Sequence, residues 1–306
     1  MSKPTPAKVL FPAEIDTTVA ETAPSSYSQL IFAEGDSWFS FGSWRLRNLL
    51  QQLRFSKSTM IVTLALPGDT ITRMSNMTGK NKALDMMLTL QHGYAWNAIL
   101  LSGGGNDVID DAKKIIVSPT GGKSKASHYI DKAALADSLD AVEKAYTAVI
   151  KMRDRPESPS PGAPIIVHTY DRATPRNSPA QFLNIKRGPW LFNAMNHAGV
   201  PPALWNEVAD HVMGALADRL VKLGSTLPNF HVVDTRGTLV RAASGSTGTS
   251  NDWENEIHPS DDGYEKIAQP YGVEVNKRLA GPAAAGGRGA MHSPRAGAAA
   301  KRGKGK

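Results

Sequence analysis

Apolar residues gather into five short runs along the chain: 29–33 (QLIFA), 60–66 (MIVTLAL), 97–102 (NAILLS), 164–169 (PIIVHT) and 229–234 (NFHVVD). Within each run apolar positions follow one another instead of alternating, as in strands buried on both faces. The stretches between them carry helical spacing. Ser43 is placed to cap a helix with Leu46, Leu49, Leu50 and Leu53 on one face. Leu84, Met87 and Leu88 repeat the spacing, and Leu135, Leu139, Val142, Tyr146 and Val149 sustain it. A further amphipathic stretch carries Leu204, Val208, Val212, Leu216, Leu220 and Leu223, and residues 264–279 form a last helical segment that Pro270 interrupts or kinks. Strand and helix alternate, which predicts an α/β domain built on a five-stranded parallel sheet with helices on both faces. The Pro/Ser-rich stretch at 153–164 reads as a loop feeding the fourth strand. One domain over 29–280 is therefore expected, behind a flexible segment at 1–28.

In open parallel sheets, ligands bind beyond the carboxyl ends of the strands, so the residues that follow each run matter most. After the first come Gly35, Asp36 and Ser37, then Trp38 and Phe39; after the second, Gly68, Asp69 and Thr70. The third leads into Gly103–Asp107 (GGGND), and the fourth into Tyr170, Asp171 and Arg172. Beyond the fifth, just before the last helical segment, lies DWENEIHPS with His258. All five would meet on one edge of the sheet.

Together these residues can perform acyl transfer. A serine hydroxyl is a weak nucleophile until a base takes its proton, and His258 is the natural base for Ser37 because imidazole titrates near neutrality. Attack on an ester carbonyl develops an oxyanion that needs fixed donors. Gly68 can offer a backbone N–H, Asn106 its side-chain amide, and Ser37 its own N–H. The order Gly35-Asp36-Ser37, Gly68-Asp69-Thr70, Gly104-Gly105-Asn106-Asp107 and His258-Pro259 resembles the SGNH hydrolase (GDSL esterase/lipase) superfamily. The resemblance spans residues 31–260. It implies a three-layer α/β/α sandwich with a flavodoxin-like sheet, and esterase, lipase, thioesterase or carbohydrate-deacetylase activity without metal or cofactor. Carried over residue by residue, it makes Ser37 the nucleophile, His258 the base, and Gly68 and Asn106 oxyanion donors. The α/β-hydrolase elbow G-x-S-x-G is a different motif, since Phe39 stands at its second glycine position.

The chain departs from the family at the acid. The family places an aspartate three residues before the histidine, where this chain has Asn255. Asp252, Glu254 and Glu256 flank that position, and Asp252 is the expected replacement if the loop folds it back under the ring. A Ser–His dyad oriented by Asn255 or a backbone carbonyl is the other arrangement. The same departure motivates an alternative function, a catalytically impaired binding module on this fold. Each residue also has a structural role to weigh: Ser37 can cap a helix, Gly68 can serve an ordinary turn, and GGGND can form an anion nest, although no Gly-Lys-Ser/Thr follows it as in a P-loop. The segment 172–205 would form part of the pocket wall, with Trp190, Leu191 and Phe192 suited to an acyl chain or a sugar face. Core packing is the commoner role for such residues.

Composition narrows the rest. The 306 residues have the apolar and charged fractions of a soluble globular protein. No apolar run approaches the ~18 residues of a membrane span. The first residues hold no continuous apolar signal region, and there is no cysteine, which together point to the cytoplasm. The net charge of +7 is concentrated at 281–306, whose basic residues are Arg288, Arg295, Lys301, Arg302, Lys304 and Lys306. Residues 1–280 hold 29 basic and 28 acidic side chains. This Gly/Ala-rich tail is expected to be disordered. It is a candidate contact for nucleic acid or an acidic surface, although a solvated end is the commoner role. The scattered histidines lack a His-Glu-x-x-His pattern, so no catalytic metal is expected. The expected partner is a small-molecule, carbohydrate or lipid ester.

Overall fold

The computed structural model describes residues 3–40, 47–76, 82–88, 94–119, 124–182 and 185–281. The helix cap expected at Ser43 and the basic tail beyond 281 lie outside the described residues. Each of the five apolar runs forms a strand of one sheet: β2 (Gln29–Gly35), β3 (Thr59–Thr63), β4 (Ala98–Ser102), β5 (Ile165–His168) and β6 (Phe230–Val233). The sheet has six strands, not five, because Lys8–Leu10 (β1) pairs in parallel with Met60–Val62. The segment expected to be flexible thus covers one edge of the sheet. Its strand is three residues long, too short to show a pattern, and it forms because β3 offers it an unpaired edge.

The strand order is β6-β5-β4-β2-β3-β1, with every pair parallel. Without β1 this is the flavodoxin-like order, whose direction reverses between β2 and β4. The turns leaving those two neighbours open the crevice where such sheets bind ligands. Helices cover both faces. The turn after β2 enters α1 (Ser37–Ser40), and Asn48 caps α2 (Leu49–Gln52) through a reciprocal pair of bonds with Gln51. The turn after β3 enters α3 (Ile71–Met74), and the one after β4 enters α4 (Gly105–Asp110). The long helices α5 (Lys132–Arg153) and α7 (Trp205–Thr226) pack on each other, with α6 (Leu191–Ala198) before the latter. The last, α8 (Asp261–Ala280), packs against α2 and runs unbroken through Pro270. Pro270 is exposed, on the solvent side of the helix. Among the described residues, no helix is long and apolar enough to cross a membrane.

Candidate active site

The turn after β2 is fixed by its acid. Asp36 Oδ1 accepts the Trp38 N–H at 2.9 Å and the Ser102 hydroxyl at 2.7 Å, and Oδ2 accepts the Tyr170 hydroxyl. The two aromatics after the serine are anchors. Trp38 stacks on His168, with ring centroids 5.1 Å apart, and its indole N–H reaches the Ile257 carbonyl at 3.2 Å. That last bond ties the serine turn to the histidine loop. Ser37, the first residue of α1, therefore sits on a held turn at the border of a cavity.

His258 meets it there. Its Nε2 lies 2.7 Å from Ser37 Oγ and its Nδ1 2.9 Å from Asn255 Oδ1. The amide oxygen also accepts the backbone N–H groups of Ile257 and His258, each at 3.1 Å. Two backbone donors leave no doubt which end of the amide faces the ring, so Nδ1 carries the proton and Nε2 offers a lone pair to the serine hydroxyl. This is the tautomer a general base needs.

The carboxylate expected from Asp252 is committed elsewhere, and this corrects the sequence expectation. It takes the Lys266 ammonium at 2.6 and 2.8 Å and the Val240 N–H at 2.7 Å. The chain between the two positions forms a tight turn, with the Glu254 N–H bonded to the His258 carbonyl at 2.9 Å. That turn brings the residue three before the histidine under the ring, not the one six before. Asp252→Ala is accordingly expected to lower stability by about 1–3 kcal/mol through its stranded partners. Ester turnover per folded molecule should stay within about twofold, and a loss of a hundredfold or more at unchanged melting temperature would restore Asp252 as the acid.

The expected oxyanion donors come from the turns after β3 and β4. Asn106 borders the same cavity as Ser37, and its amide nitrogen gives one hydrogen to the Asp69 carbonyl at 2.8 Å, leaving the second for a ligand. Gly68, which immediately precedes Asp69, is exposed and does not line that cavity, and among the described residues its N–H has no acceptor. Asp107 clamps the two turns, accepting the Ile71 N–H at 2.9 Å, the Thr72 N–H at 3.1 Å and the Thr72 hydroxyl at 2.7 Å. The glycines before it are required by shape. Gly104 has φ +99°, and a Cβ on Gly105 would lie 2.7 Å from the Tyr170 ring.

A second serine–histidine pair lies beneath the first. Ser102 Oγ is 3.1 Å from His168 Nε2, but it is fully buried and directs its proton to Asp36. His168 Nδ1 faces the Thr169 carbonyl at 3.0 Å. This set braces Asp36 and has no access to a substrate. Burial holds Asp36 up to about 6 and depresses His168 to about 4.

Burial also depresses His258, to about 3. A carboxylate partner would oppose that by favouring the imidazolium, whereas the Asn255 amide does not. The neutral, proton-accepting form therefore persists as pH falls. The expected kcat/KM for an ester stays within about threefold from pH 8 to 5. An ordinary imidazole, with a pKa of about 6.5, would lose about thirtyfold at pH 5. An acid limb centred near 6.5 would show that water reaches the ring.

The segment 172–205 contributes less to the wall than its sequence suggests. Leu191 is buried in the core and Phe192 packs edge-on against Trp205. Only Trp190 of the three stands beside the histidine, its ring centroid 6.3 Å from that of His258. Two residues hold this region in roles that the sequence did not suggest. Glu256 is buried and takes the Leu191 N–H at 3.1 Å, the Phe192 N–H at 2.7 Å and the Arg176 N–H at 3.3 Å, so that it caps α6 from the histidine loop. Its carboxyl is raised to about 7 by burial, which those amides oppose. Arg176, also buried, donates to the Asn255 carbonyl at 2.6 Å. Neither role has a local signal, since each partner is distant in sequence or depends on the fold of a loop.

No family model matches the sequence, and no curated protein matches it. Solved structures do match in shape. A lipase from a goat rumen metagenome aligns over 82% of this chain and 100% of its own, at 14% identity and a TM-score of 0.50. An aryl esterase from M. smegmatis aligns over 82% and 99% (14% identity, TM-score 0.45), and Est24, a carbohydrate acetylesterase from Sinorhizobium meliloti, over 82% and 99% (14% identity, TM-score 0.44). Identity this low speaks to the fold. With its parallel sheet and helices on both faces, the chain shares the α/β/α fold of the rumen lipase.

Proposed function

We propose that the protein is a serine ester hydrolase working through an acyl-enzyme. The observation that carries this reading is the contact of Ser37 Oγ with His258 Nε2 at 2.7 Å, with Nδ1 fixed by Asn255 Oδ1. In the first step Ser37 Oγ bonds to the ester carbonyl carbon while its proton passes to His258 Nε2. The carbonyl oxygen becomes an oxyanion, for which the N–H groups of Ser37 and Gly68 and the free amide hydrogen of Asn106 are the available donors. Collapse breaks the bond to the alcohol oxygen, which leaves with the proton from His258. Water then repeats the sequence, activated by the same imidazole, and releases the acid.

The test is hydrolysis of p-nitrophenyl esters by the purified protein, paired with labelling by a fluorophosphonate and mass mapping of the adduct. Turnover with the adduct on Ser37 is the expected result. A protein that hydrolyses no ester or thioester of any chain length and takes up no label is not a hydrolase of this kind.

A further inference from the structure

The cavity beside Ser37 is small and partly open to solvent. Its volume is about 20 Å³, and Ile109 of α4, Met213 of α7, and Trp253 and Ile257 of the histidine loop line it with Ser37 and Asn106. A space of ~10–15 Å³ measured this way holds one water, so this one admits a group of one or two heavy atoms. It borders Ser37 and Asn106, the attacking residue and one of the available oxyanion donors, and so offers a seat for the acyl half of an ester. A second, polar cavity of about 310 Å³ adjoins it, sharing Tyr170, Asp171 and Met213 with the first.

The three shared residues differ in freedom. Asp171 is pinned by the Gly237 and Leu239 N–H groups, each at 2.8 Å, and Tyr170 by its bond to Asp36. Met213 is buried, with an unbranched apolar side chain that can be shortened without stranding a polar partner.

Resting on the hydrolase reading above, we propose that the acyl site accepts acetyl and excludes chains of butyryl length and beyond, and that Met213 is the partition that sets this limit. The alcohol half of the ester is not measured by this cavity. A methyl group is close to a water molecule in size and fits; the two further methylenes of a butyryl group must displace the Met213 side chain or stay outside, away from attack geometry.

The experiment compares kcat/KM for p-nitrophenyl acetate, propionate, butyrate and hexanoate in the wild type, Met213→Ala and Ile109→Ala, with Ser37 labelling as a count of competent sites. One misplaced methylene is worth roughly 10–200-fold in a hydrophobic pocket. The wild type is therefore expected to prefer acetate over butyrate by about a hundredfold or more. Met213→Ala should shrink that preference at least about tenfold by joining the two cavities. Ile109→Ala, at a second apolar residue of the lining, repeats the test should the first variant fail to fold. Equal use of acetate and butyrate by a wild type labelled on Ser37 would overturn the acetyl limit and leave the hydrolase reading standing. A preference unchanged in both folded variants would overturn the role given to this cavity. Silence towards every ester, with Ser37 unlabelled, would remove the hydrolase reading and this inference with it.

Discussion

Ser37→Ala is expected to reduce ester turnover by at least about 10^4-fold, to the level that oxyanion donors and binding alone sustain. The size follows from the mechanism. Without Oγ no acyl-enzyme forms, and His258 is left to activate water at a site shaped for a covalent intermediate. Stability should change little, by about 1 kcal/mol at most, because the hydroxyl makes one side-chain bond, to His258 Nε2. Turnover, fluorophosphonate uptake and melting temperature, measured on one preparation, separate lost chemistry from lost fold. Turnover that survives the substitution would eliminate the acyl-enzyme. It would not pass the role to Ser102, which is fully buried.

The second large effect falls on Asn255. Removing its side chain in Asn255→Ala takes the acceptor from His258 Nδ1 and from two backbone N–H groups at once. The imidazole then loses both its tautomer and its orientation. Turnover should fall at least about 10^2-fold, short of the about 10^4 that spoiling the orienting carboxylate costs in serine proteases. Asn255→Asp is the opposite case. All three neighbours of Oδ1 are donors, so a carboxylate would be received without rearrangement, and its charge would favour the imidazolium that forms on proton transfer. Turnover should rise, and an acid limb should move up from near pH 3 into the measurable range. A fall in turnover with Asp would mean that the neutral amide is part of how this site works.

Much of this could be read in the chain. The five runs that became β2 to β6 were legible because both faces of an interior strand are buried, so the pattern needs no partner to be seen. The polar motifs were legible because a parallel sheet sends every strand end to the same edge. Ser37, His258 and Asn106 meet there as that rule requires, whereas β1 was invisible because its pairing depends on what β3 leaves open. Asp252 was preferred on chemistry, since a carboxylate is the better partner for an imidazolium. Loop geometry decided otherwise, through a turn closed by the Glu254 N–H and the His258 carbonyl. Trp190, Leu191 and Phe192 looked alike in sequence but were separated by the register of a helix start, which left one beside the histidine. Met213 falls inside the amphipathic stretch that became α7, but nothing local marked it as lining two cavities.

The placement of β1 has a consequence beyond the site. Without Lys8–Leu10, the outer edge of the sheet would be Thr59–Thr63, whose Met60, Ile61 and Val62 combine β-branched and apolar side chains. An uncovered edge of that composition is a template for pairing with another chain. The first strand therefore acts as a gatekeeper against self-assembly, and its short pairing, which ends at an exposed Phe11, is a weak closure on an aggregation-prone seam. For anyone producing the protein, a substitution that loosens the pairing of Lys8–Leu10 with Met60–Val62 would matter first to solubility.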